Sequence, residues 1–285
     1  MEDNKKTLRS EYTTTKILIR DLLMVSREDK MVFRGIKDFS ELNPSINRVR
    51  ISYEETSNLE NMEFNLLNQF KKHATSYLNG NLDILDIVAY AQHFGLPTRL
   101  IDWTRNPFVA LYFAINRSKE SQPVYIFYAN LVNNTLLNRS YAGFRHIDLQ
   151  NGKEFIMDYK IFIDSIKDRE ILKQHVTSRS IDLKNIGIVD DSIVVDNGLI
   201  FYECNSSNPR LIAQQGLFSI PISIENDNAK REILENTNFI KIVLDNEEKQ
   251  ELLKYLKNMN YNGIRLFPDI QSICSNIVSD LLNRG

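Results

Sequence analysis

The sequence predicts an α+β fold, a single large domain whose N-terminal part is helical and packs on a β-sheet. Two observations predict it. Apolar residues recur at helical spacing through the front of the chain, and segments rich in β-branched and aromatic residues fill most of the second half. Composition permits it: 42% hydrophobic and 25% charged residues match an ordinary water-soluble globule, and fifteen Phe and twelve Tyr give bulk for a core. At 285 residues the chain exceeds the usual single-domain size, so one domain with insertions and one domain plus a smaller lobe both fit.

Taken in order, Ile17, Leu18, Leu22, Leu23 and Val25 follow a capping cluster at Thr13 to Thr15 and predict a helix to about Arg27. MVFRG (31–35) reads as a short strand, and 37–58, with Pro44 and several Ser and Asn, as a loop. Residues 59–78 carry Met62, Leu66, Leu67, Phe70, Ala74 and Tyr77 on roughly one helical face. Residues 82–93 form the next helix, stopped by Gly95 and kept from resuming by Pro97. Asn106 is a natural N-cap and Pro107 a natural first helical residue, so PFVALYFAI starts a buried helix directly after Thr104. The polar run before it then reads as a turn between two helices. VYIFYANL (124–131), IMDYKIFI (156–163), SIVVD (192–196), LIFYEC (199–204), LFSIPI (217–222) and FIKIVLD (239–245) read as strands, with helices at 209–215, 247–259 and 272–282.

A formal charge of −2 argues against a protein whose affinity comes mainly from neutralising phosphates, although a local basic strip fits within that total. Cys204 and Cys274 stand far apart, with no CxxC and no zinc spacing, so no metal and a reduced cytosol are expected. The polar start and the lack of any apolar run of about eighteen residues imply neither signal peptide nor membrane span, hence a cytoplasmic protein with no membrane partner.

The run AQHFGLPTRLIDWT (91–104) crowds costly polar groups into one short stretch. Arg99, Asp102 and Trp103 read either as a structural knot, a buried ion pair under an aromatic lid, or as part of a binding site. His93, beside Gln92, either caps carbonyls and bonds within the core or donates to a ligand. Thr104 precedes a helix N-terminus, where free N–H groups favour an anion, or it serves as a simple cap. Arg34 leaves a short strand with Gly35 behind it and reaches a phosphate or carboxylate, or else a surface carboxylate partner. A second polar concentration, NPRLIAQQGLF, sets Arg210, Gln214 and Gln215 before Gly216 at a helix-to-strand turn.

These residues resemble a bacterial family, the FRG-domain proteins, named for the motif that Phe33, Arg34 and Gly35 form here. AQHFGLPTRLIDWT, the helix from Pro107 to Ala114, Arg210 with QQGLF, and LFPD at 266–269 also match, so the likeness runs from Val32 to about Asp269. It divides the chain into an N-terminal helical segment, 1–30, and an FRG domain, 31–285, or one continuous domain. The layout is similar to that of ADP-ribosyltransferases: an early arginine on a strand, then a strand ending in Ser or Thr that feeds a helix of A-x-x-F-A character. Arg34 takes the first place here, and Thr104 with Ala110, Phe113 and Ala114 the second.

The resemblance implies a split, antiparallel-rich sheet with NAD as substrate in its cleft. No G-x-G-x-x-G occurs here to argue for another dinucleotide fold. It implies Arg34 on the ribose-phosphate, Thr104 bracing it, Trp103 or Tyr112 stacking near the ring, and Thr98, Arg99, Asp102 and Gln214 among the cofactor contacts. No E-x-E or Q-x-E motif is present, so the third role is unassigned among Gln215, Glu203 and His93. The implied activity is NAD-dependent ADP-ribosyl transfer to a nucleic acid or protein, as a toxin or phage-defence effector with a possible antitoxin. The alternative is a non-catalytic nucleotide- or nucleic-acid-binding module.

Overall fold

The computed structural model describes residues 11–27, 30–49, 58–78, 84–116, 118, 122–137, 152–174, 176–177, 193–204 and 208–282. Their strands form one eight-stranded sheet in the order β1-β8-β4-β2-β3-β7-β6-β5. The strands are β1 (Glu11–Tyr12), β2 (Met31–Ile36), β3 (Ile101–Thr104), β4 (Val124–Asn130), β5 (Thr135–Leu137), β6 (Ile200–Tyr202), β7 (Gly216–Ser219) and β8 (Asn238–Ile242). Neighbours run antiparallel except at the edges, where β1 pairs with β8 and β5 with β6 in parallel. The antiparallel-rich α+β architecture of the sequence reading is therefore present.

Helices α1 (Thr15–Val25), α2 (Leu59–Ala74), α3 (Ile84–His93), α4 (Pro107–Ile115) and α5 (Gly152–Ile166) precede β6. They are followed by α6 (Pro209–Gln214), α7 (Asn228–Asn236), α8 (Asn246–Asn258), α9 (Gly263–Leu266) and α10 (Ile270–Leu282). Alternation along each strand sorts side chains between two faces. On one face α1, α4 and α8 cover Phe33, Val124, Ile126 and Ile240, while α2, α3 and α5 cover Ile200, Tyr202 and Phe218. On the other, Val32, Ile36, Ile101, Trp103, Phe127 and Phe201 pack together with Ala229 and Ile233 of α7. The first face thus carries two separate helical groups, with a seam between them over β2 and β3.

The sheet is thinnest at that seam. β2 meets β4 at six positions but β3 at one, Phe33 opposite Thr104. Beside this pair the Arg34 side chain spans the gap: Nη1 donates to the Asp102 carbonyl at 2.6 Å and Nη2 to the Glu41 carbonyl at 2.7 Å. α4 lies directly on β2 because Gly35 has no side chain. A Cβ there would stand 1.7 Å from the Ala110 carbonyl oxygen. The helix is apolar all round and is buried at every position but Phe113, as such a helix must be.

Several expectations change. Residues 156–163, read as a strand, lie in α5, because Tyr159, Phe162, Ile163 and Ile166 are all buried at helical spacing. Of the strand read over 192–196, the described residues 193–196 contain one bridge, Ile193 to Leu136. Residues 101–104, read as part of a turn between helices, are the central strand β3, and α7 was not foreseen. In the loop read over 37–58, residues 39–42 and 45–48 form 3₁₀ turns.

Arg99 does not pair with Asp102. It is fully buried, and its Nε donates to Glu63 Oε2 at 2.7 Å while its backbone N–H donates to Glu63 Oε1 at 2.7 Å. The Tyr159 hydroxyl donates to the same Oε1 at 3.2 Å, so the knot ties α2, α5 and the approach to β3. Burial, the largest single influence, lowers the Arg99 pKa, but the charge and hydrogen bond of Glu63 together with Tyr159 and Glu60 outweigh it and the net shift is upward.

Two outcomes test these contacts. Glu63→Ala leaves a buried guanidinium with only Glu60, at 3.7 Å, and is expected to cost about 3–5 kcal/mol in denaturant unfolding, whereas Glu63→Leu with Arg99→Met is expected to cost less, about 1–3 kcal/mol, because the Arg99 N–H and the Tyr159 hydroxyl still lose their acceptor. Gly35→Ala forces α4 off β2 and is expected to cost about 1–3 kcal/mol, or more. A wild-type unfolding midpoint in Gly35→Ala would refute the close approach.

Candidate functional site

Two cavities meet at the seam. A cleft of about 900 Å³ is bordered by β2, the end of β3, α4 and the segment from Asn262 to Asn276. A cavity of about 220 Å³ lies between the end of α3, the 43–48 turn and α6. They share four lining residues, Arg34, Asp102, Arg210 and Gln214. Among the described residues, together they are lined by five cationic side chains, Arg34, Lys37, Arg48, Arg210 and Lys257, against two carboxylates, Glu41 and Asp102.

Arg34 borders both cavities, but as a clasp more than as a free hand, since both of its terminal nitrogens donate to carbonyls. Burial lowers its pKa, with the charges of Asp102 and Glu41 opposing the shift. The central position of β2 also means that Arg34 crosses between strands rather than emerging at an open sheet edge.

Asp102 and Thr104 alternate on β3 with Ile101 and Trp103, whose side chains join the opposite core. Because Asp102 pairs with Phe218 across antiparallel strands, it shares the face of Phe218, the face of the seam. Asp102 is exposed, and its Oδ1 accepts from Gln92 Nε2 at 3.1 Å. Gln92 is itself fixed: its Oε1 accepts from the Thr98 hydroxyl, whose oxygen takes the Leu100 N–H. Thr98 is fully buried and borders neither cavity, so it orients Gln92 rather than meeting a ligand. Arg99 likewise stays in its knot with Glu63.

Thr104 does not brace Arg34. Its hydroxyl donates to the Gln214 carbonyl at 2.6 Å and accepts from the Asn106 N–H at 3.0 Å. Asn106 caps α4 through Phe108 N, and its amide donates to the Tyr261 hydroxyl at 3.1 Å. Trp103 borders the cleft, yet its indole is buried, donates to Ser219 Oγ at 2.9 Å and meets Phe201 edge-on. It therefore cannot stack on a ligand. Tyr112 borders the cleft while nearly all of the residue is buried.

Among the three residues offered for the third role, only His93 borders a cavity, the smaller one. Gln215 sits exposed at the left-handed end of α6, and Glu203 pairs with Arg105 at 3.3 Å. Both lie outside the lining. Gln214 borders both cavities, but its Nε2 donates to the Leu266 carbonyl at 2.8 Å, joining α6 to α9. Arg210, one turn earlier, stands 4.7 Å over the Phe267 ring and points its charge at the junction.

The sequence reading missed Arg48, Lys37 and Lys257, which carry no local motif, and the role of Gln92, whose only signal was its place beside His93. Among the described residues no group of three or more His, Cys, Asp or Glu is placed to hold a metal ion, and no helix is long and apolar enough to cross a membrane.

His93 has its pKa lowered first by burial and then by the Arg210 charge, against a smaller opposite effect from Asp269. The neutral ring is thus favoured, and the stability linked to it is present above the ordinary histidine pKa and lost as pH falls. Arg210→Ala is expected to raise the His93 pKa toward its ordinary value, read from the imidazole proton shift in an NMR titration. An unchanged midpoint would show that the two groups are not coupled.

Residues 29–123 match the family model of the FRG domain, a span that holds Arg34, His93, Asp102, Thr104 and Tyr112. Comparison with curated proteins and with solved structures gives no match. The matched segment identifies an FRG domain within residues 29–123, about a third of the chain.

Proposed function

We propose that the seam binds NAD and that the chain transfers ADP-ribose from it to a nucleic acid or protein, acting as a toxin or phage-defence effector. The observation that carries this reading is the junction of two cavities over a nearly parted pair of strands, with a predominantly cationic lining in a chain whose overall charge is slightly negative. A concentration of positive charge that the whole chain does not share favours a polyanion locally. Guanidinium groups at the junction suit the two phosphates of a dinucleotide. The larger cleft has the size of a nucleotide site, and a ligand that fills both cavities must cross the line from Arg34 to Arg210. The sequence resemblance to ADP-ribosyltransferases supplies the choice of NAD within that class.

One observation favours a second reading, a module that binds nucleotide without turnover. Neither Glu203 nor Gln215 faces the cavities, and Arg34 is engaged with two carbonyls.

Arg34 is a poor first test, since its loss also unties β2 from β3. Among the described residues the Arg210 side chain makes no hydrogen bond, and its contact is with the Phe267 ring. Arg210→Ala is expected to weaken NAD affinity about 10- to 100-fold, the range of a lost charge-assisted hydrogen bond, with little change in the unfolding midpoint. Calorimetric titration with NAD measures the first, and nicotinamide release in the presence of protein and nucleic-acid acceptors measures turnover. Saturable binding with no release selects the binding module. If NAD neither binds, nor shifts the melting temperature, nor is consumed, the proposal is lost.

A further inference from the structure

We infer that Asp102 is the catalytic carboxylate of this site, the group that no sequence motif assigned. The inference rests on the NAD reading and adds to it the residue that takes the acceptor's proton and steadies charge at the reacting carbon.

Four observations place Asp102 in that role. Among the described residues that line the cavities, Asp102 is the carboxylate common to both. The other, Glu41, faces only the larger cleft and is drawn to Lys37, at 3.7 Å from its Nζ. Asp102 is exposed to the junction although it stands on a central strand, and among the described residues its carboxylate forms no ion pair within 4.0 Å and is held by Gln92. Its backbone is clamped, with its carbonyl accepting from Arg34 and its residue in register with Phe218.

The fourth observation concerns the side chain itself. The Thr98 oxygen accepts the Leu100 N–H, so its own proton is available to Gln92 Oε1. Because the Asp102 carboxylate can only accept, the Gln92 N–H₂ faces its Oδ1, and the Gln92 Oε1 is then the end that takes the Thr98 proton. One carboxylate oxygen is thereby oriented, and the other accepts no hydrogen bond among the described residues and is left for a ligand. Thr98 and Gln92 are positioning residues that preorganise the carboxylate without touching substrate.

The electrostatics explain why a single acid here matters. Cleaving the nicotinamide–ribose bond builds positive charge on the anomeric carbon, and the cavities are otherwise rich in cations that oppose it. An oriented carboxylate at the junction supplies the compensating charge where it develops. In the step, the C1′–N bond breaks and its electron pair leaves on the pyridine nitrogen, giving neutral nicotinamide. An O–H or N–H nucleophile of the acceptor, water included, forms the new bond to C1′, and its proton passes to the Asp102 carboxylate.

The test uses the full chain with NAD, first with water as acceptor and then with protein and nucleic-acid acceptors. Asp102→Asn keeps shape and an oxygen for Gln92 to donate to, and is expected to cut nicotinamide release by about 10²-fold or more with NAD affinity and melting temperature near wild type. Asp102→Glu is expected to recover part of the rate. Wild-type turnover in Asp102→Asn overturns the assignment of Asp102 and leaves the NAD reading standing. Unchanged binding and no turnover in the wild type overturns this assignment and the transferase reading together, while leaving a nucleotide site. If Asp102→Asn loses stability and rate in proportion, and Asp102→Glu restores stability without any rate, the residue is structural and the assignment fails.

Discussion

The arrangement depends on one guanidinium that stands where two strands fail to pair. β2 and β3 share a single register position, and beside it Arg34 donates to carbonyls of Asp102 and Glu41. A continuous ladder would close the sheet there and leave no room for a ligand, while an unbridged gap would leave the carbonyls of Asp102 on β3 and Glu41 in the 39–42 turn unsatisfied in a partly buried place. The side chain satisfies them and still exposes an edge to both cavities. The gap is therefore stable without being filled.

Gly35 and Asn106 make that gap possible from the helix side. With no Cβ at Gly35, α4 settles onto β2, and the Asn106 cap with Pro107 fixes where the helix begins. The Thr104 hydroxyl then links the end of β3 to the Gln214 carbonyl of α6. Three elements distant in sequence are drawn to one seam by short polar contacts, each of which uses a backbone group left over by a strand or helix end.

The polar run 91–104 turns out to do two separate jobs. Thr98 and Arg99 face inward: one orients Gln92, the other binds Glu63 and, with Tyr159, holds α2 and α5 together. Asp102 faces the seam, and Trp103 turns away into the opposite core. The crowding of costly groups reflects this double use, since each inward group has a buried partner and the outward one lies in the cavity lining. The lining also joins residues from the 37–48 turns, α6 and α8, so its charge cannot be read from any one segment.

What could be read from the residues alone was local. The cap at Asn106, the start at Pro107 and the stop at Gly95, which has φ +91°, are set by bonds and sterics within a few residues, and the helix and most strands followed from apolar spacing. Composition misled at 156–163, because aromatic and β-branched side chains that suit a strand also suit a helix buried on one face. The partner of Arg99 was misjudged because Glu63 lies 36 residues away, beyond the reach of any spacing rule. In the same way, only the folded chain decided that the Trp103 indole is buried in the opposite core, that Glu203 and Gln215 lie outside the lining, and that Asp102 stands at the junction. The reason is physical: periodicity and capping are fixed by neighbours along the chain, whereas the face a strand residue shows and the charge it meets are fixed by the strand paired beside it.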